Sequence, residues 1–156
     1  MAYLGVLDVI LNYTDSVVQT LADALEAAKT AVALDDRDAF AHFALGRTQG
    51  LHGNSAAAIA ETQKAIQLCP SFALAHYGLG YILYWYGRGA EGIPHFDTAI
   101  RLSPHDPLMW AFCTVKGWCH FQLGDFDAAE ACGRKAVQEG PQIFWAHLVL
   151  AAALTR

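Results

Sequence analysis

His42-Phe43-Ala44-Leu45-Gly46 and His76-Tyr77-Gly78-Leu79-Gly80 set the same His and the same Leu-Gly pair 34 residues apart. The same step carries Gly53 to Gly87, Ala58 to Gly92, Ala65 to Ala99 and Pro70 to Pro104. A fixed period of this length marks a stacked array, because one helix-turn-helix unit cannot bury its apolar face alone and neighbouring units must cover it. The expected fold is all-α: a right-handed α-α superhelix, or solenoid, of antiparallel helix pairs, with 1–156 forming a single array.

Each recurring slot has a physical reason. Gly46, Gly80 and Gly117 fall where the first helix of a unit crosses its partner at Ala58, Gly92 and Ala129, and small side chains let the two backbones approach. Gly53, Gly87 and Gly124 stand where the first helix must end in a positive-φ residue. Pro70, Pro104 and Pro141 stop the second helices. Extended outward, the register reads Ala2–Asn12 and Ser16–Leu34 as an earlier helix pair, with Ser16 and Gln19 as a capping box. Units are expected at about 2–38, 39–72, 73–106 and 107–143, with a half unit at 144–156.

These slots, from Leu45-Gly46 through Gly53, Ala58, Ala65 and Pro70 and again through the next two units, resemble the tetratricopeptide repeat. The resemblance implies a helical repeat protein that binds other proteins. The period breaks once: from Pro104 to Pro141 and from Gly80 to Gly117 the step is 37. Asp106-Pro107 then offers either an earlier start to the following helix, by cap and first-turn proline, or a looser connection. Pro94, inside a second helix, is expected to delay or bend its first turn near Gly92. Phe144–Thr155 reads as a first helix without a second, presenting Trp145, Leu148 and Leu150, and its sequence is too apolar for a solvent-facing cap. The array is expected to be cut there from a longer protein or covered by something else, and self-association through this C-terminal edge follows as an expectation.

Composition narrows the partners. Of 156 residues 54% are hydrophobic and 16% charged, and the net charge is −5 with basic residues scattered along the chain. That balance points away from nucleic acid and from an anionic membrane surface. The longest apolar stretch, Ile143–Leu154, falls short of the ~20 residues needed to span a bilayer. No Lys or Arg precedes Lys29, so the start lacks the basic region of a secretory signal. Cys69, Cys113, Cys119 and Cys132 follow neither metal nor disulfide-framework spacing, which suggests a reducing, cytoplasmic setting.

Apparent signatures of chemistry have plainer explanations. Gly87-Arg88-Gly89-Ala90-Glu91-Gly92 has the letters of a dinucleotide fingerprint but follows a helix, and no βαβ unit surrounds it. His42, His76 and His147 occupy a slot that often holds a bulky aromatic in the resembled family, and are expected to be packing residues. Cys113, Cys119 and His120 do not share one helix face, so zinc is not expected. Asp35, Asp36 and Asp38 suit capping and solvation better than calcium. Asn12-Tyr13-Thr14 matches a glycosylation acceptor that is meaningless in a cytosolic setting. No nucleophile, base and orienting group assemble, so no catalytic residue, metal or cofactor is expected.

The inner faces of the first helices remain. Counted from the Leu-Gly slots, Phe40, Phe43, Arg47, Tyr77, Tyr81, Tyr84, Trp85, Trp118, Phe121 and Trp145 should line a concave groove, with Thr114 and Leu148 beside them. Tyr and Trp combine large apolar area, few rotors and a polar tip, the profile of binding hot spots. The expected occupant is an apolar or aromatic segment of a protein or peptide, and the alternative placement of these rings is between adjacent repeats. Chaperone-binding relatives clamp a terminal carboxylate with basic groove residues; at the matching places only Arg47 is basic. The segments Ala99–Phe112 and Trp145–Leu154 also resemble repeat regions behind bacterial nucleotidyl cyclases and winged-helix regulators, which implies a regulatory array rather than an activity.

Overall fold

The structure is a computed structural model that describes Tyr3 and residues 16–156. The expected helix Ala2–Asn12 and the Asn12-Tyr13-Thr14 acceptor lie outside the described residues. Eight helices are described: α1 Val17–Leu34, α2 Ala39–Leu51, α3 Ser55–Leu68, α4 Ala73–Trp85, α5 Gly89–Leu102, α6 Met109–Gln122, α7 Phe126–Glu139 and α8 Phe144–Leu154. No strand occurs among the described residues. The chain divides into two compact units, one ending at Gly78 and the other beginning at Leu79, so the boundary falls within α4. In the first, α1 packs on α2 and α2 on α3; in the second, α5 packs on α6, α6 on α7, and α8 on both α6 and α7.

Close backbone approach occurs where the small slots are. A Cβ on Gly46 would lie 2.3 Å from Thr62 Oγ1 and 2.9 Å from the Ala58 carbonyl oxygen. A Cβ on Gly92 would lie 3.0 Å from the Gly80 carbonyl oxygen, and one on Gly117 3.2 Å from Cys132 Cβ and 3.4 Å from the Ala129 carbonyl oxygen. The turns repeat equally well. Gly53, Gly87 and Gly124 have φ of 81°, 73° and 76°. Beyond each, the next amide reaches back to the helix: Asn54 to the Gln49 carbonyl, Arg88 to that of Leu83 and Asp125 to that of His120. This six-to-one bond closes a Schellman motif and satisfies a carbonyl the helix leaves open. α3, α5 and α7 end two residues before Pro70, Pro104 and Pro141.

Three sequence expectations resolve differently, and the one left open at Asp106-Pro107 is decided for the connection. Ser16 is the N-cap of α1 without a side-chain cap bond, and the Gln19 amide instead donates to Asp23 Oδ1 at 2.7 Å, so no capping box forms. Pro94 does not delay α5, which begins at Gly89, nine residues after Gly80, just as α3 begins nine after Gly46. The missing amide of Pro94 removes one bond within a helix held elsewhere by its packing. The added residues before α6 go mostly into the connection: Ser103–Leu108 links α5 to α6, where Cys69–Phe72 links α3 to α4. There Asp106 Oδ1 accepts the Leu108 amide at 2.8 Å, so the Asp-Pro pair builds a turn and the helix starts after it. Finally, Leu150, expected at the open edge, packs under Gly133, whose Cβ would lie 2.8 Å from Leu150 Cα.

Candidate interaction surface

The aromatic residues separate by burial into three groups. Phe43 and Arg47 of α2 are only 1% and 6% exposed, so neither lines an open surface. Phe43 packs with Ala65 and Ala75, and its ring centroid lies 5.3 Å from Tyr3, 5.9 Å from Phe40 and 5.4 Å from Phe72. A Cβ on Gly78 would fall 2.7 Å from the Phe43 ring and 3.4 Å from Arg47 Cδ. Gly78 therefore leaves the space that draws both side chains inward. The expectation for these two residues is corrected: Phe43 is core, and Arg47 is withdrawn from the place where it would meet a carboxylate. Thr114 is likewise buried, with its hydroxyl donating to the Trp110 carbonyl.

Tyr77, Tyr81, Tyr84, Trp118 and Phe121 are half-buried. Tyr81 and Tyr84 meet Trp85 with centroids 6.0 and 5.4 Å apart, while Trp118 meets Phe121 edge-on at 5.5 Å. Burial raises the phenol pKa of Tyr84, and Cys119 of α6 and Tyr81 add to the rise, which places the end of α4 beside α6. Phe40, Trp85 and Trp145 are exposed, Trp85 by 64%. Counting from the repeat slots missed Phe126, whose ring lies 5.3 Å from Phe121. It also missed Arg156, whose guanidinium stands 5.7 Å from the Phe121 centroid and 6.0 Å from that of Phe126. A cation over two ring faces is attracted by their quadrupoles.

The histidines of the aromatic slot are joined to backbone. Nε2–H of His42, His76 and His147 donates to the carbonyl oxygen six residues earlier, on Asp36, Pro70 and Pro141, at 2.9, 3.1 and 2.8 Å. His42 Nδ1 also meets Glu61 Oε2 at 2.6 Å, tying α2 to α3. His42 and His76 are buried as expected of packing residues; His147 is exposed, so there the ring serves the turn alone. The acidic turn caps: Asp38 Oδ1 accepts the Phe40 amide and Asp35 Oδ1 that of Arg37. Among the described residues no three His, Cys, Asp or Glu side chains gather as for a metal ion. Burial pushes the thiol of Cys113 up to about 11 and that of Cys119 up to about 12, and all four cysteines are free.

Paired antiparallel helices with small residues at each crossing and a left-handed glycine at each turn define a helical-repeat protein of the all-α solenoid class. The sequence profile of the tetratricopeptide repeat matches residues 52–107 and 87–142, and the chain belongs to that family. No curated protein matches the chain in sequence. Among solved structures, MamA is 27% identical with a TM-score of 0.68, over 79% of this chain and 70% of its own. TTC0263, a thermophilic repeat protein of the same family from Thermus thermophilus, is 19% identical with a TM-score of 0.78, over 99% of this chain and 80% of its own. YrrB, a family member with an unusual peptide-binding site, is 20% identical with a TM-score of 0.68, over 88% of this chain and 70% of its own. The fold is that of a protein-protein interaction scaffold. No described helix is long and apolar enough to cross a membrane.

Proposed function

We propose that this scaffold holds an apolar or aromatic segment of a protein partner on the surface carried by Tyr81, Tyr84 and Trp85 of α4 and Trp118 and Phe121 of α6. Trp145 adds exposed aromatic area in the same unit, Phe40 and Tyr77 offer theirs in the first unit, and residues 1–156 act as one array. The observation that carries this reading is Trp85: a large ring, 64% exposed, propped by Tyr81 and Tyr84 on its own helix. A prearranged ring of this kind loses little rotamer freedom when a ligand covers it, so less of the gain from removing its apolar area from water is offset by ordering. The side chains of the proposed site are uncharged and the cation beside them, Arg156, stands over the Phe121 and Phe126 rings, which favours an apolar contact segment. Selection of random displayed peptides on the chain, repeated on Trp85→Ala, tests it: enrichment of aliphatic and aromatic sequences that disappears in the variant supports the reading, and enrichment indifferent to Trp85 contradicts it.

A second reading, action through self-association, is favoured by the exposed apolar residues of α8. The likeness of Ala99–Phe112 and Trp145–Leu154 to arrays that accompany nucleotidyl cyclases or winged-helix regulators would give such association a regulatory output.

A further inference from the structure

The aromatic surface of the second unit is defined by the polar tips of its rings as well as by their faces. Trp85 of α4 is exposed, and Tyr84 beside it and Trp118 of α6 are half-buried. An indole carries one N–H donor and no acceptor, so Trp85 and Trp118 can give a hydrogen bond and take none. Among the described residues no protein acceptor meets either indole N–H or the phenol O–H of Tyr84. Burial, with Cys119 and Tyr81, raises the Tyr84 pKa and so keeps that phenol in its donor form. Tyr81 and Phe121 complete the patch with ring faces, and none of the five side chains is an amide or a carboxylate.

Building on the binding reading above, we infer that the segment held here is proline-rich and in the polyproline II conformation, with its pyrrolidine rings against the aromatic faces and its carbonyl oxygens accepting from Trp85, Trp118 and Tyr84. Three kinds of backbone separate on their hydrogen bonds. An amphipathic helix uses its carbonyls internally and would cover the indole and phenol donors without pairing them. An extended segment without proline brings N–H groups as well as carbonyls, and those N–H groups would leave water for a surface of donors and ring faces. Proline has no N–H, and a polyproline II chain makes no internal hydrogen bonds, so every carbonyl remains able to accept. Its apolar rings suit the faces of Tyr and Trp, and its conformation is largely set before binding, which keeps the ordering cost low.

Titration of the isotope-labelled 156-residue chain with a decaproline peptide, followed through its indole N–H resonances, tests the inference against a proline-free peptide of Leu, Phe and Ser of equal length. The expected result is tighter binding of decaproline, with the N–H resonances of Trp85 and Trp118 moving downfield as acceptors engage them. Trp85→Phe keeps an exposed ring and removes only the donor end, so it should weaken decaproline about threefold or more and leave the proline-free peptide unaffected. Binding of the proline-free peptide at Trp85 without any response to decaproline overturns the inference and leaves the apolar-segment reading standing. Decaproline binding indifferent to Trp85→Phe overturns it likewise. Indole resonances unmoved by either peptide overturn the inference and count against the aromatic surface itself as the place where a partner binds.

Discussion

Nε2–H of His76 donates to the carbonyl oxygen of Pro70 across 3.1 Å, so the first turn of α4 is tied to the residue that closes the helix pair before it. The same six-residue reach joins His42 to Asp36 and His147 to Pro141. The proline or aspartate slot ends one unit, and the His fixes how the next begins.

Removing the bond should cost most where water cannot replace it. His76→Leu leaves a buried bond unmade and is expected to destabilise the chain by about 1–3 kcal/mol, whereas His147→Leu, at an exposed site, should cost less than about 1 kcal/mol. Urea denaturation of the two variants measures the difference. Equal losses would mean that the His slot acts through packing alone.

The crossing at Gly46 is the tightest of the small slots. Gly46→Ala drives a methyl to 2.3 Å from Thr62 Oγ1 and 2.9 Å from a backbone oxygen that cannot turn aside. A loss of roughly 1–3 kcal/mol by overpacking follows. Gly53→Ala has open space around it but keeps φ at 81°, so its cost of ~1–2 kcal/mol is conformational. Adding Thr62→Ala should recover part of the first loss and none of the second, as read by thermal melts.

Buried thiols give the chain an alkaline weakness. Cys113 and Cys119 are held protonated in the folded chain up to about 11 and about 12, against an ordinary value of 9.0. Between about pH 9 and those values the unfolded chain releases protons that the folded chain retains, so stability present below pH 9 is lost as pH rises. The limiting slope is about 1.4 kcal/mol per pH unit for each thiol. Denaturant titrations at pH 8 and pH 10.5 should show the decline, and Cys113→Ala with Cys119→Ala should flatten it. At pH 8 iodoacetamide should reach the half-buried Cys69 well before either buried thiol.

The fold was legible because its signals are local and repeated. A crossing needs a small residue, a turn needs positive φ and a helix end suits proline; Gly46, Gly53 and Pro70 state these demands directly, and later units state them again. The candidate site was less legible. Angular counting from Leu45-Gly46 puts Phe43 on the inner face but cannot register that Phe72 and the bare backbone of Gly78 close over it. Gly78 and Gly133 lie outside the small slots of the repeat, and an unexplained glycine is the one sequence signal that something large sits opposite, here Phe43 and Leu150. The His-to-carbonyl bond left no such trace, because its acceptor is a backbone atom that every residue carries. At the Asp106-Pro107 connection the same letters suit a helix start and a turn, and only the tertiary packing of α6 chooses.

The most direct test of the binding claim is the affinity of a selected peptide for the wild type and for Trp85→Ala, measured by titration calorimetry with melting temperatures recorded beside it. Because Trp85 is mostly exposed, its truncation should leave the melting temperature within about a degree or two, in contrast to the roughly 3–5 kcal/mol expected for Phe43→Ala in the core. A hot-spot ring should weaken binding about tenfold or more, the equivalent of ~1.4 kcal/mol. Unchanged affinity in a stably folded Trp85→Ala chain would contradict the claim that this aromatic surface is where the partner binds.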